Sequence, residues 1–283
     1  MKIAERSATI ACPACASDSR FAAGFSDICL YRCPDCDHCF TDPRRISNPE
    51  SYGPEYFQKN WFHNPNLALF EELRKAIVRH TPNASVLDVG CGNGDFLKFL
   101  RAREPSLVLT GIDLSPNLPV EGIQFIQGSA LTHPISQRFD VVVNLAVIEH
   151  IADVRQFANR LVDSCKTGGL VVTSTVNERG LLYETARLLN RVGYRAPFEQ
   201  LYSRHHLNHF NIRSLQRLFD IAGLSTVGLI RHNSPMAAVD FDASRAVPQS
   251  LSRNLLWIGV WGIFLLGRIS GRTLLQTLLS RKR

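Results

Sequence analysis

Short apolar runs alternate with segments of helical periodicity from residue 84 onward. Five of these runs are long enough for one buried strand each. They occupy 85–89, 107–112, 123–127, 139–144 and 170–175. Helical patterns over 96–103 and 154–165 separate some of them. Since a helix between two strands returns the chain parallel to itself, the alternation predicts an α/β fold with a parallel sheet and right-handed crossovers.

Further elements are predicted on both sides of this alternation. Ahead of it, apolar residues recur at helical spacing from Leu67 to Ile77, with Asn64 as the N-cap and Pro65 at the first helical position. Behind it, the pattern predicts two helices and a terminal hairpin. They cover 181–192, 212–222, and 224–230 paired with 236–241.

A glycine-rich loop joins the first predicted strand to its helix. It reads Val86-Leu-Asp-Val-Gly-Cys-Gly-Asn-Gly-Asp95. Glycines there permit positive φ and let a ligand lie on the backbone, close to the free N–H groups of the helix N-terminus. The dinucleotide fingerprint needs a sixth-position glycine, but Asp95 stands there. Because Asp88 would repel a pyrophosphate and attract a cation, the loop predicts a nucleotide-like ligand that carries positive charge.

This loop resembles the first motif of the class I S-adenosylmethionine-dependent methyltransferases, and Leu145-Ala-Val-Ile-Glu-His150 resembles their fourth. The resemblance implies a Rossmann-like, doubly wound, mostly parallel seven-stranded sheet with an antiparallel last strand. It places Asp88 near the cationic part of S-adenosylmethionine and Asp113 on the ribose. The residues it assigns to the cofactor are Asp88, Gly90, Cys91, Gly92, Gly94, Asp113, Leu114, Ser129, Ala130, Asn144 and Leu145.

Six of the eight cysteines lie between Cys12 and Cys39. Two Cys-x-x-Cys pairs, Cys12 with Cys15 and Cys33 with Cys36, predict a structural zinc site of four thiolates with a short hairpin between the pairs. His38 or Cys39 could replace one of the four ligands. The segment resembles the zinc ribbon that precedes some methyltransferase domains.

A histidine-rich segment, Tyr202-Ser-Arg-His-His-Leu-Asn-His-Phe210, follows the predicted sheet. One interpretation makes it part of a substrate lid over 179–210, with His206 or His209 as a general base. The other makes it a metal site. We favour the lid because the sequence shows no accompanying pair of carboxylates. His150 is either a third candidate base or a residue that supports its own loop.

The positive charge is confined to the C-terminal segment. The net charge is +7, and residues 243–283 hold seven arginines and lysines but no acidic residue, so the rest of the chain is balanced. The uncharged run from Leu255 to Gly267 is too short to span a membrane. With its two tryptophans and flanking arginines it predicts a membrane-surface helix. Packing on the protein or on a second subunit is the alternative.

These patterns predict four regions. They are a zinc ribbon (1–45), a connector with a helix (46–81), the methyltransferase domain (82–242) and a basic apolar tail (243–283). Aromatic residues of the connector between Tyr52 and Phe62 would cover the cofactor or pack the ribbon onto the domain. The N-terminus lacks the apolar core of a signal peptide, which predicts a cytoplasmic protein that associates peripherally with membrane.

The predicted function is methyl transfer from S-adenosylmethionine to a small-molecule, saccharide or lipid-linked acceptor, at oxygen rather than carbon. An RNA methyltransferase that holds RNA with its ribbon is one alternative, although the balanced body lacks the clustered lysines and arginines that phosphate binding needs. A non-catalytic scaffold is the other. The patterns leave the oligomeric state open.

Overall fold

The computed structural model describes residues 9–46, 63–239 and 251–283, and the aromatic part of the connector lies outside them. Two sheets are present in the described part. The strands, in chain order, are β1 (Ile10–Ala11), β2 (Asp18–Phe25), β3 (Ile28–Arg32), β4 (Cys39–Thr41), β5 (Ser85–Val89), β6 (Val108–Asp113), β7 (Ile123–Gln127), β8 (Phe139–Leu145), β9 (Cys165–Val176), β10 (Asn208–His209), β11 (Leu224–His232) and β12 (Leu275–Lys282).

Helices cover the strands and connect them. The α-helices are α1 (Leu67–His80), α2 (Asp95–Arg103), α3 (Val154–Ser164), α4 (Leu181–Arg191), α5 (Ala196–Leu201), α6 (Ile212–Ile221) and α7 (Leu251–Ser270). Helix α1 begins two residues later than predicted, because the side chain of Asn66, not Asn64, caps it by accepting a hydrogen bond from Leu69 N at 3.1 Å. None of the described helices is long and apolar enough to cross a membrane.

The larger sheet has seven strands in the order β11-β12-β9-β8-β5-β6-β7. Strands β5 to β9 are parallel to one another, whereas β12 is antiparallel to both β9 and β11. The predicted doubly wound, mostly parallel fold with an antiparallel strand is therefore confirmed. Its central strands are buried on both faces, as the near-continuous apolar runs require.

The prediction of a terminal hairpin between 224–230 and 236–241 is wrong. Met236–Ala238 forms a 3₁₀ helix, and β11 pairs instead with β12, which lies between β11 and β9. Strand β12 belongs to the segment predicted as a separate tail, so the sheet extends beyond residue 242. Its Leu278 and Thr277 are fully buried, which a surface tail would not allow. The sequence did not reveal this strand because its partners, β9 and β11, are distant from it in the chain.

The smaller sheet joins the N-terminal ribbon to the larger domain. Its order is β1-β2-β3-β4-β10, and β10 comes from the histidine-rich segment. Asn208 pairs with Phe40 and His209 with Cys39. The ribbon is therefore connected by backbone hydrogen bonds to the segment predicted to be the substrate lid.

A buried carboxylate strengthens the same junction. Glu178, at the carboxyl end of β9, is fully buried and accepts hydrogen bonds from Arg32 of the ribbon at 2.5 Å, from Arg187 at 2.6 Å and from Tyr202 at 2.6 Å. Two guanidinium groups donate hydrogen bonds to this one carboxylate and a third, that of Arg179, lies 3.9 Å from it, so its burial is compensated. Glu178 thus holds the ribbon in place rather than facing an open site.

Candidate active site

The glycine-rich loop leaves β5 and enters α2 through three left-handed residues. Gly90, Gly92 and Gly94 have φ of 73°, 53° and 74°. A Cβ atom at Gly90 would lie 2.5 Å from Cγ2 of Val147, and one at Gly94 would lie 2.7 Å from the ring of Phe125. Glycine is therefore required here for conformation and for space.

Two aspartates lie beside this loop, and their carboxylates differ in hydrogen bonding. Asp88 is 2% exposed, and its Oδ1 has no hydrogen-bond partner among the described residues. Burial and the nearby charge of Asp113 raise the pKa of Asp88 to about 7. A cationic ligand would offset that cost, as the sequence predicted for this position.

Asp113 binds the loop with one carboxylate oxygen and the turn that follows its own strand with the other. Its Oδ2 accepts a hydrogen bond from Gly92 N at 2.9 Å, and its Oδ1 accepts one from Ser115 N at 2.9 Å. Each oxygen keeps a second lone pair, so the carboxylate can bind the loop and two ribose hydroxyls together. The hydrogen bond to the loop was not visible in the sequence.

The remaining residues assigned to the cofactor differ in how they are placed. Leu114 is 57% exposed, and Cys91, Ser129, Ala130 and Leu145 are half-buried. Ser129 Oγ accepts a hydrogen bond from Leu131 N at 3.2 Å, so this hydroxyl closes its own turn.

Asn144 lies inside the sheet. It is fully buried and donates to Thr173 Oγ1 at 2.8 Å and to Val172 O at 3.2 Å. Its amide nitrogen thus serves to connect β8 to β9. Its Oδ1 has no hydrogen-bond partner among the described residues.

A cluster of Glu149, His150 and His206, called the triad below, lies at the carboxyl edge of the sheet. Glu149 and His150 stand on a 3₁₀ helix, Ile148–His150, that follows β8. One ligand atom from each triad residue lies within 4.8 Å of those of the others. The sequence singled out the two histidines but passed over Glu149, although an acid next to His150 in an otherwise apolar run was the available signal.

Hydrogen bonds hold the histidine-rich segment against this 3₁₀ helix. Leu207 N donates to the backbone oxygen of Glu149 at 2.8 Å, and Asn208 Nδ2 donates to Ile151 O at 2.7 Å. The two ring centroids of His150 and His206 are 5.0 Å apart. The structure therefore brings together two of the three histidines that the sequence proposed as bases.

The third histidine, His209, has different surroundings. It is fully buried, with its ring centroid 4.6 Å from that of Tyr202 and 6.1 Å from that of Tyr183. Burial, with the nearby charges of His38 and Arg32, lowers the pKa of His209 to about 3. Its ring is packed between aromatic side chains in the interior.

The four cysteines of the two Cys-x-x-Cys pairs, called the cysteine cluster below, form a compact set. Their sulfur atoms all lie within 4.8 Å of one another. The residue after each pair, Ala16 or Asp37, has a positive φ of 70° or 61°, which turns the backbone around the sulfurs. Four thiolates in this arrangement fit a tetrahedral zinc ion.

Neither His38 nor Cys39 belongs to the cysteine cluster. His38 Nε2 is 3.0 Å from Asn208 Oδ1, and its ring lies 4.4 Å from that of Phe210. Cys39 packs in a separate apolar core with Leu30, and burial raises its thiol pKa to about 12. Both residues therefore serve the contact between the ribbon and the domain.

Comparison with known proteins decides the family. The family described as "Methyltransferase domain" matches residues 58–229, which is more than half of the chain. The chain belongs to this methyltransferase family. Its sheet order and glycine loop are those of the class I S-adenosylmethionine-dependent methyltransferases, as the sequence predicted.

Similar proteins include two named O-methyltransferases. A ubiquinone biosynthesis O-methyltransferase of Rickettsia akari is 30% identical over 125 residues, covering 41% of this chain and 49% of that protein. A malonyl-[acyl-carrier protein] O-methyltransferase of Acetivibrio thermocellus is 30% identical over 115 residues, covering 36% and 41%. The chain spans about half the length of the curated relatives it matches.

Solved structures show the same fold at low identity. A structure from Thermotoga maritima described as a SAM-dependent methyltransferase has a TM-score of 0.50 at 16% identity, covering 81% of this chain and 95% of that one. The YcgJ protein of Bacillus subtilis also gives 0.50 at 16% identity, covering 77% and 99%. The methyltransferase thus shares its layout with proteins distant in sequence.

Proposed function

We propose that the methyltransferase methylates an oxygen of a small-molecule, saccharide or lipid-linked acceptor. The observation that carries the proposal is the position of the triad. Val147, whose side chain fills the space beside Gly90, directly precedes the 3₁₀ helix that bears Glu149 and His150. Polar groups that can bind and deprotonate a hydroxyl therefore lie beside the loop that would hold the cofactor. The names of the two relatives, both O-methyltransferases, support oxygen as the acceptor atom.

S-adenosylmethionine supplies an activated methyl group on a sulfonium. The protein therefore has to bind the cofactor and the acceptor, orient them to each other and exclude water. Gly90, Gly92 and Gly94 let the cofactor lie against the backbone, and Asp113 would accept the ribose hydroxyls. The buried Asp88 would favour the cationic end. The histidine-rich segment would cover the acceptor, and the triad would take the proton from its hydroxyl.

The cysteine cluster would hold a structural zinc ion. Four thiolates leave no open coordination position, which favours a structural over a catalytic role. Since β4 of the ribbon pairs with β10 beside the triad, the ion would stabilise the surface over the acceptor. Metal analysis of the purified chain tests this, with one zinc per chain as the expected result.

Helix α7 would place the enzyme on an anionic membrane surface, where an apolar acceptor collects. One face of the helix is anchored by Phe264, which is 7% exposed. Large apolar side chains on its remaining faces are exposed, including Trp257 at 44% and Trp261 at 51%. Arg268 is exposed near the end of the same helix. Tryptophans next to arginines match the interface of anionic lipids.

Co-sedimentation with vesicles tests this contact without removing β12. The intact chain should bind vesicles that contain phosphatidylglycerol more tightly than neutral vesicles. A double substitution of Trp257 and Trp261 by serine should weaken that binding and leave cofactor affinity unchanged. Equal binding by this variant and the wild type would refute the membrane contact.

The methyl-transfer proposal is tested by calorimetric titration of S-adenosylmethionine and its demethylated product into the intact chain. Micromolar binding is expected, and Asp113→Ala should weaken it at least tenfold because it removes the predicted ribose contacts and the hydrogen bond to Gly92 of the loop. Asp163→Ala, an exposed site on α3, is the matched control and should bind normally. A labelled methyl group should then appear in an ether or ester product, whereas labelled carbon–carbon products would overturn the choice of oxygen.

A further inference from the structure

The triad combines one carboxylate and two imidazoles on two segments of chain. Its ligand atoms lie within 4.8 Å of one another. From this geometry we propose that Glu149, His150 and His206 bind a divalent cation that coordinates the acceptor. The inference rests on the proposed methyl transfer to oxygen. It gives the triad the role of metal ligands in place of that of a direct base, and it adds a class of substrate.

The hydrogen bonds around the triad are those expected around metal ligands. A ligating histidine usually donates its second ring N–H to a carbonyl, which fixes the ring and its tautomer. His150 Nδ1 lies 2.8 Å from His205 O, which assigns Nε2 to the ion. Ligating carboxylates are likewise hydrogen-bonded, and Glu149 Oε2 accepts from Thr175 Oγ1 at 2.8 Å.

Charge and burial give a second reason for a cation. Glu149 is 2% exposed, and no lysine or arginine of the described ranges forms a salt bridge with it. His206 Nδ1 is buried without a hydrogen-bond partner in the same part of the chain. A buried carboxylate and an unpartnered ring nitrogen are both costly, and one bound cation would satisfy both.

The second buried carboxylate near the ribbon provides an internal contrast. Glu178 also sits at the carboxyl edge of the sheet, but Arg32, Arg187 and Tyr202 satisfy it. Glu149 lacks such a guanidinium among the described residues and faces two histidines instead. The same edge therefore holds one carboxylate that is paired by protein and one that is arranged for an ion.

Two histidines and one carboxylate on one side of an ion leave coordination positions open. An octahedral ion would have three such positions, which suits an acceptor with two adjacent oxygens plus a water. The expected acceptor is thus a hydroxyl flanked by a second oxygen, as in a vicinal diol or a catechol, rather than an isolated alcohol.

The cation would act as a Lewis acid. The coordinated hydroxyl loses its proton to water at a lowered pKa, and the resulting oxyanion attacks the methyl group. The new oxygen–carbon bond forms as the methyl–sulfur bond breaks. The electron pair of the broken bond stays on sulfur and neutralises the sulfonium. No oxidant or reductant is needed.

Manganese binding to the intact, zinc-loaded chain tests the site, because Mn²⁺ prefers oxygen and nitrogen donors over the thiolates of the cysteine cluster. Electron paramagnetic resonance should show one bound Mn²⁺ per chain. His206→Gln and Glu149→Gln should each weaken binding at least tenfold. His80→Gln, at the end of α1, is the matched control and should bind as the wild type does.

Titration of S-adenosylmethionine into the same samples separates the two proposals. Variants that keep cofactor affinity and lose Mn²⁺ support the site, since the fold is then intact. Wild-type protein that binds the cofactor but no Mn²⁺, or variants that bind Mn²⁺ as tightly as wild type, would overturn the metal site and leave the proposed function standing. Methyl transfer that survives complete chelation would overturn it too, whereas absent cofactor binding would refute the proposed function itself.

Discussion

Two halves of the sheet differ in how far apart in sequence their contacting residues lie. One half surrounds the glycine loop, and the other contacts the ribbon. In the first, β5, the loop and α2 follow one another directly, and Asp113 reaches Gly92 from the neighbouring strand. In the second, Arg32 meets Glu178 and Phe40 pairs with Asn208. The proposed cofactor site is thus built from local contacts, whereas the proposed cover of the acceptor is built from segments that meet only in the folded chain.

The largest test of this contrast is removal of one ligand from the cysteine cluster. Cys36→Ser should lose zinc and unfold the ribbon, since structural zinc contributes about 10–16 kcal/mol to such small domains. Metal content and limited proteolysis measure both effects. The local half should still bind S-adenosylmethionine, though more weakly because its cover is lost.

Cys39→Ser is the control for that experiment. Its sulfur lies in a separate core, so the variant should retain one zinc per chain and lose only some stability. Loss of zinc from Cys39→Ser would show that the ligand set is assigned wrongly.

Gly90→Ala should give the next largest effect. Its positive φ costs about 1–3 kcal/mol for a residue with a side chain, and the new Cβ would meet Val147. We expect cofactor affinity to fall about 100-fold, or about 2.7 kcal/mol, by calorimetry. Gly168→Ala is the control, because Gly168 also has a positive φ, 76°, but no atom lies within 4 Å of a Cβ added there. It should cost stability but no affinity, and equal loss in both variants would contradict the close approach at Gly90.

The buried Asp88 predicts a pH dependence. Its pKa in the folded protein is about 7, above its ordinary value of 3.8, so the folded state holds a proton between these values that the unfolded state has lost. Its contribution to stability is complete below about pH 3.8 and is lost as the pH rises through 7. Asp88→Asn cannot ionise.

The free energy of unfolding of Asp88→Asn, relative to that of the wild type, should therefore rise by roughly 1–3 kcal/mol between pH 5 and pH 8.5. Urea unfolding at the two pH values measures the difference. An advantage that is constant with pH would show that Asp88 is already ionised at pH 5.

The smallest effect is expected at the junction of the ribbon. Arg32→Leu removes one of the two guanidinium groups that donate hydrogen bonds to Glu178 and should lower the free energy of unfolding by about 1–2 kcal/mol. Arg44→Leu removes a 72% exposed partner of Asp42 and should cost less than about 1 kcal/mol. Urea unfolding compares them. Equal losses would mean that the buried junction contributes no more than a surface pair.

The elements that could be predicted from the sequence follow the same division between local and distant contacts. The bounds of β5 and β7 were predicted to the residue, because apolar runs and glycines are local signals. Strand β9 proved longer than 170–175, since its first residues were interpreted as the end of a helix. Strand β12 was missed because its partners precede it by about 50 and 100 residues in the chain and nothing local marks their pairing.

The candidate site divides in the same way. The proposed role of the loop glycines and Asp113 can be predicted from their spacing. The triad, however, forms only when residues 149 and 206 come together in the fold, and α3, β9 and two further helices separate them in the chain. The preference for a lid without metal rested on the absence of an accompanying pair of carboxylates, and in the structure one carboxylate, Glu149, lies beside two of the histidines.

The position of β12 between β9 and β11 also matters while the protein is being made. During synthesis β9 and β11 leave the ribosome well before 275–282, and neither strand can pair with β12 until then. The growing chain therefore exposes an unpaired edge of β9, which is the kind of edge that recruits other strands. We expect chaperones to shield this nascent chain, and expression at low temperature to improve its yield.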